Sequence, residues 1–501
     1  MKQTPTAVEP PAGATTAAPG ATPPPPGAGG LAQGRIGTSD LVFFVVAAAA
    51  PLTVLAGVAP FAIGIGGPGT PLGYLVAGIL LVLFAAGFTA MSRHVRNAGA
   101  FYAYVARGLG RTLGVGTAYL ATLSYNLIAP GVAAGFGYFA STTIEDLTGA
   151  EVPWWPLATL CVLGVGVLGW LRVTLSAKVL GIALVLEVLV LLVMEVGILV
   201  DRGPEAFDAT SFDPSVLASS AGMAGMFVLV IGAFTGFEAT AIYAEEARDP
   251  ARTVPRATFI AIGFLALFYA AGVWILMGGF GTDTSVSMAR TADGPQLTFT
   301  AAEHFVGRWL ADSMHVLIVI SAFAATLAFH NAAARYLYAL GREGLLPRRL
   351  ARVSPKQGSP AAAVVVQTAV GLVIVLGGAL IGADPYGEIF LWSNSTGVLG
   401  IMIMQALAAL AVVFFFRRDR QGMPVWRVVV APLIAFAGLA ALAVLAVVHF
   451  DLLTGRTGGV NIALLIPLPV VLAAGFAVAL RIRRREPEWY ARLTEVDVER
   501  D

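Results

Sequence analysis

Apolar runs of about 20 residues, each long enough to cross a bilayer as a helix, recur from Asp40 almost to the end of the chain. They fall at 40–64, 71–91, 112–141, 154–171, 177–200, 219–244, 257–279, 312–338, 360–382, 387–416, 428–449 and 459–481. A membrane strand needs about half that length and alternating polarity. The pattern therefore predicts an all-α polytopic membrane protein with twelve transmembrane helices. Residues 1–38 break it. They are rich in Pro, Ala, Gly and Thr, include the run Pro23–Pro26, and lack the apolar content of a core, so they read as a disordered tail. No basic start followed by an apolar stretch marks a signal peptide. The predicted organisation is a tail at 1–38, a twelve-helix domain at 39–482 and a second tail at 483–501.

The positions of Lys and Arg orient the helices. If twelve spans leave both tails on one side, only Arg202, Arg290, Arg308 and Arg456 of the 31 basic residues fall on the other side. One missed helix would scramble that asymmetry downstream, so it tests the count too. It predicts a multi-pass protein of the cytoplasmic membrane with both termini in the cytoplasm. Composition agrees: 57% of residues are hydrophobic and 12% charged, against about 25% charged in a soluble domain. The bilayer is the implied partner, and a net charge of +1 argues against nucleic acid. The single cysteine, Cys161, sits in an apolar run and reads as packing. No Cys/His metal spacing and no His-Glu-x-x-His motif occurs, so no metal, cofactor or enzymatic centre is expected.

Two runs contain interruptions. Within lipid an unpaired backbone N–H or C=O costs several kcal/mol unless protein, water or ligand takes it up. The first run carries Pro51 after Ala47–Ala50, followed by Leu52, Thr53 and Val54; Pro51 removes a donor and crowds the preceding turn. The sixth reads Gly232-Ala233-Phe234-Thr235-Gly236-Phe237-Glu238, two glycines four apart with a carboxylate at membrane depth. If runs 1–5 and 6–10 are repeats, the two interruptions occupy matching positions, the best sequence pointer to a transporter's midplane site. Half-helix N-termini suit a carboxylate and half-helix C-termini an ammonium group. Packing and kinking are the alternative use of such Gly and Pro.

Three stretches carry a family resemblance: Gly236-Phe237-Glu238 with Glu245 to Ala257, Asn331 to Pro347 with Ser359-Pro360, and Asn97 to Tyr104 with Gly108-Leu109-Gly110. Together they resemble the amino acid–polyamine–organocation permeases over about residues 38–482. The resemblance implies a five-plus-five inverted-repeat (LeuT-like) fold with two added helices. It also implies alternating access, with an amino acid or related amine held by its backbone groups at the two breaks. Many relatives have a Gly-Ser-Gly-like element where this chain has Leu52-Thr53-Val54-Leu55, and a gating aromatic near the second break, a role left here to Phe234 or Phe237.

The candidate substrate-binding residues are thus Pro51, Leu52, Thr53, Val54, Ala233, Phe234, Thr235, Gly236, Phe237 and Glu238, with Tyr125 and Asn126 from the third run. Glu238 either meets substrate, gate or proton, or caps the second half-helix. Tyr125, Asn126 and the polar run Ser393–Thr396 serve either substrate or helix–helix hydrogen bonding. Glu187, nine residues after Lys178, is an intramembrane acid and a functional candidate by default. In several relatives an amine stands at the corresponding place, so Glu187 is the candidate for proton coupling, with the proton gradient as driving force. Glu195, nearer the helix end, is expected to reach water. Exchange of one amino acid or amine for another is the competing activity, and a non-transporting sensor of the same fold is the alternative from another class. No core Lys or Arg favours a doubly acidic substrate, whereas Glu238 leaves a cationic one open. The sequence specifies no oligomeric state.

Overall fold

A computed structural model of the protein describes residues 37–95, 101–171, 177–238, 240, 247–291 and 293–493. Most of the 1–38 tail, residues 97–100 of one resemblance motif, and Glu245 and Glu246 of another lie outside the described residues, as does the side chain of Lys178.

The first apolar run splits as its proline predicts. Helix α1 (Thr38–Ala49) ends where Ala50 turns left-handed, with φ of 48°. The next residue, Pro51, disfavours the helical region for the residue before it. A wide π-type turn over Thr53–Val58 leads into α2 (Ala59–Gly66). Gly67–Gly69 reverse the chain into α3 (Thr70–Met91). Then come α4 (Phe101–Leu109), α5 (Arg111–Thr148), α6 (Trp154–Trp170) and α7 (Ala177–Arg202). Two short turns and α8 (Pro214–Ser219) precede α9 (Met223–Gly232). At 10 residues α9 rises about 15 Å, half of a hydrocarbon core about 30 Å thick. The chain from Ala233 to Glu238 is a series of turns, so within the predicted span at 219–244 a half-helix is followed by irregular backbone over 233–238.

The remaining helices are α10 (Pro250–Phe280), α11 (Thr282–Ala289), α12 (Leu297–Phe305), α13 (Arg308–Arg342), α14 (Ala361–Leu380), α15 (Leu391–Phe416), α16 (Ala431–Val448), α17 (Asp451–Thr454), α18 (Gly459–Leu465), α19 (Pro467–Arg485) and α20 (Pro487–Arg492). A π-type turn over Pro385–Phe390 leads into α15. Among the described residues nine helical stretches are long and apolar enough to cross a membrane, and three apolar helices, Thr38–Ala47, Trp154–Trp170 and Met223–Gly232, are shorter. The described residues contain no strand.

Helix α5 organises the molecule. It packs on α4, α6, α13, α15 and α19, and its most apolar stretch is 67% buried, against 17% for Gly459–Arg485. Leu160, Leu267, Val373 and Leu380 point outward and are more than 60% exposed. Water would penalise that surface and lipid solvates it. The chain is a multi-pass membrane protein. Residues 483–493, within the predicted C-terminal tail, finish α19 and form α20. Leu493 is buried, the Trp489 indole donates to the Glu343 carbonyl at 3.1 Å, and the Tyr490 and Thr112 hydroxyls share a hydrogen bond at 2.8 Å. These contacts supply the apolar cover that the segment's own composition lacks.

Candidate functional site

The two interruptions face each other across a cavity with about 50 Å³ of room for water-sized occupants, enough for roughly three or four waters. Ala50, Thr53 and Val54 line it from the first break, and Ala233 and Thr235 from the second. The opposite wall comes from Ile128 and Val132 on α5, Phe329 on α13, and Phe390, Asn394 and Val398 at the start of α15. Gly232 allows the close approach: a Cβ there would lie 2.9 Å from a Val398 methyl. The Thr235 hydroxyl is buried and has no protein partner. No Asp, Glu, Lys, Arg or His is among the described lining residues.

Each break is tied by an acid. The Leu52 N–H donates to Glu187 Oε2 at 3.2 Å. Thr53 donates its hydroxyl to Ser321 on α13 at 2.9 Å, and Ser321 also hydrogen-bonds the Glu187 carboxyl. At the second break Gly236, whose φ of 118° excludes most side chains, donates its N–H to Glu238 Oε2 at 2.9 Å. Tyr125 donates its hydroxyl to Glu238 Oε1 at 2.5 Å, and its ring stacks on Tyr336 with centroids 5.1 Å apart. Glu187 and Glu238 are buried, 5% and 3% exposed.

The positions along α5 show what borders the cavity. Tyr125 ties to Glu238 on one side, Ile128 and Val132 line the cavity, and Tyr138 and Phe139 meet the far side. Thirteen residues of helix separate Tyr125 from Tyr138, about 20 Å. At the far side Tyr386 donates its hydroxyl to the Gly57 carbonyl. Its ring stacks on Phe61 at 4.6 Å and on Tyr138 at 4.7 Å, so an aromatic layer joins the end of the π-type turn to α5 and α15.

Of the residues singled out from sequence, Thr53, Val54, Ala233 and Thr235 line the cavity, while Leu52, Tyr125, Gly236 and Glu238 form the ties around it. Pro51 sits in the break without lining the cavity. Asn126 donates to the Thr122 carbonyl of its own helix at 2.7 Å. Phe234 and Phe237 are fully buried; Phe234 meets Tyr269, and Phe237 meets Phe84 and Phe88. The aromatics facing the cavity are instead Phe329 and Phe390, which no local sequence signal distinguishes from ordinary core. In the polar run of α15, Asn394 faces the cavity, whereas Ser395 and Thr396 are buried with unpartnered hydroxyls. Glu195 does not reach water: it is 6% exposed, covered by α10. His315 stacks on Phe299 at 4.0 Å and lies 3.2 Å from an Asp146 oxygen. The described residues hold no group of three or more His, Cys, Asp or Glu suited to a metal.

The described residues thus form a helical membrane protein with two helices interrupted around an internal cavity. The profile of the amino acid permease family matches residues 40–491, and the chain belongs to that family. It is 24% identical over 315 residues to the branched-chain amino acid permease BcaP of Bacillus subtilis, covering 59% of this chain and 64% of that one. It is 26% identical over 406 residues to an uncharacterized transporter of Mycobacterium tuberculosis, covering 80% and 86%. It is 25% identical over 316 residues to the low-affinity putrescine importer PlaP of Escherichia coli, covering 61% and 66%. The chain spans slightly less than two thirds of the length of the first and third of these relatives.

Proposed function

We propose that the protein is a secondary transporter of small neutral amino acids, moving them across the cytoplasmic membrane by alternating access. In this reading the apolar segments make twelve crossings with both termini in the cytoplasm, and the two interrupted helices belong to related five-helix halves. The observation that carries the substrate class is the lining of the cavity. It offers two threonines, one asparagine and apolar side chains, and no charge among the described residues. A zwitterion brings its own pair of charges and meets backbone dipoles at the breaks. Its side chain then faces Ile128, Val132, Phe329, Phe390 and Val398. A second ammonium group, as in a polyamine, would find no free carboxylate, because Glu238 is already held by Tyr125 and Gly236.

Coupling falls to Glu187. A proton on this carboxyl weakens it as an acceptor for the Leu52 N–H, so proton occupancy bears directly on the first break. The test is uptake into proteoliposomes with competitors. Alanine, valine, leucine and isoleucine are expected to compete, and putrescine, lysine and glutamate are not. Flux of putrescine alone would reject the substrate class, and no flux of any amino acid would reject transport. Glu187→Gln, which keeps an acceptor oxygen, is expected to lose proton-driven accumulation and keep exchange. Full accumulation by this variant would remove Glu187 from coupling.

A further inference from the structure

Glu195 is used by neither the cavity nor its ties. It lies two turns beyond Glu187 on the same buried stripe of α7, with Leu191, Met194 and Ile198. Its Oε1 is buried and unpartnered. The carboxyl lies against α10, in a space that the first break also enters. A Cβ on Gly272 of α10 would lie 2.9 Å from Glu195 Oε1 and 2.9 Å from the Leu55 side chain, so a missing side chain in α10 makes the space. Leu55 belongs to the π-type turn of the first break, and its carbonyl is held by the Thr298 hydroxyl at 2.8 Å. Glu187 holds the Leu52 N–H at the start of that segment, and Glu195 and Leu55 share the space beside Gly272.

We propose that Glu195 is a second proton-binding site, separate from Glu187, that loads from the membrane side reached by the C-terminal end of α7. Among the described residues no neighbouring element brings it a counter-charge. On α10 the Tyr269 hydroxyl donates to the Ala49 carbonyl at 3.3 Å, and Arg252 pairs with Asp249 at the far end. On α12, Glu303 and His304 are exposed. On α13, Arg308 pairs with Asp312 and His315 with Asp146. Asp40 of α1 caps Gly37, and Glu205 pairs with Arg202. The cost of burial without a partner falls on the charged form of an acid, so the closed arrangement holds Glu195 as the neutral acid. When the segment Thr53–Val58 withdraws, the carboxyl meets water and exchanges its proton with it. The proton passes between water and one carboxyl oxygen, and no other bond changes.

This inference rests on the reading of the chain as a proton-coupled permease, and two measurements keep the two apart. The first is infrared difference spectroscopy of the purified protein with and without alanine. A carbonyl band of a protonated carboxyl is expected in the wild type, lost in Glu195→Gln, and restored at a shifted position in Glu195→Asp. A protonated-acid band unaffected by Glu195→Gln would overturn the proposal whatever the protein transports. The second is uptake into proteoliposomes at fixed internal pH and varied external pH. Glu195→Gln is expected to lose at least fivefold of the external-pH stimulation while exchange stays within twofold of wild type. A wild-type external-pH profile in that variant would also overturn it. Uptake by the wild type that ignores pH altogether would instead refute proton coupling as a whole.

Discussion

Removing the Tyr125 hydroxyl isolates one of the two closures of the cavity. In Tyr125→Phe the ring and its stack on Tyr336 remain, and Glu238 loses a donor 2.5 Å away while keeping the Gly236 N–H. A hydrogen bond to a charged group contributes about 1.5–3 kcal/mol, and one between neutral groups about 0.5–1.5 kcal/mol. At about 1.4 kcal/mol per tenfold, opening of the 233–238 segment becomes roughly 12- to 140-fold more frequent if Glu238 is charged. The corresponding factor is roughly 2- to 12-fold if it is neutral. Hydrogen exchange of peptides covering 233–238 reports this directly, because the Gly236 amide exchanges only when Glu238 lets go. The effect is expected to be local, with exchange in α14 and α16 unchanged. Glu238→Gln, which keeps an acceptor without the charge, should fall in the lower range. Unchanged exchange at 233–238 in Tyr125→Phe, or an increase spread evenly over distant helices, would refute the tie.

Three other perturbations test separate parts of the structure. Thr235→Val replaces an unpartnered hydroxyl with a methyl of the same shape, so thermal stability should hold while amino acid affinity falls about 2- to 12-fold, one neutral hydrogen bond; equal affinity by calorimetry would place Thr235 outside the contact. Burial pushes the Glu343 carboxyl above its ordinary range, opposed by the Tyr102 hydroxyl and the Arg342 charge. A raised value means more protons bound when α20 is docked than when it is free, so docking is tightest below the ordinary carboxylate range and weakens as pH rises through the raised value. Proteolysis at 486–493 should therefore speed up with pH in the wild type and lose that dependence in Glu343→Gln. Gly108→Ala would place a Cβ 2.1 Å from the Ala411 carbonyl oxygen; separating α4 from α15 should cost about 1–3 kcal/mol, seen as a lower melting temperature in detergent.

The helices were legible because a lipid-facing helix must be apolar for a whole crossing: the runs predicted at 71–91 and 154–171 appear as Thr70–Met91 and Trp154–Trp170. Both interruptions were legible for the complementary reason, since Pro51 and the Gly232–Gly236 pair are local backbone signals. What contacts what across 100 or more residues leaves no such signal. Phe329 and Phe390 line the cavity, but their neighbours in sequence are as apolar as any core. The partner of Tyr125 is Glu238, 113 residues away, and that of Leu52 is Glu187, 135 residues away. Glu195 was misplaced because its position along α7 suggested an exposed end. The cover comes from α10, where Gly272 leaves room for the carboxyl. The seat of the C-terminal segment is another long-range contact: Tyr490 meets Thr112 on α5, and Trp489 meets the chain at Glu343.

The ties also constrain how a ligand could be recognised. Opened backbone in a bilayer is tolerable only if something takes up its polar groups, and here the protein does so itself. Glu187 occupies the Leu52 N–H and Glu238 occupies the Gly236 N–H. In this closed form neither donor is open to a substrate carboxylate, so any ligand that uses them must displace a carboxyl already in place. Displacement is easier from a protonated acid than from a charged one, because a charged acceptor makes a hydrogen bond roughly twice as strong. In the proton-coupled reading proposed above, proton binding and ligand binding draw on the same backbone donors. The Thr235 hydroxyl escapes this competition because no protein group holds it. Among the described residues it is a buried hydroxyl at the breaks that no tie holds, open to a ligand before the Leu52 and Gly236 donors are.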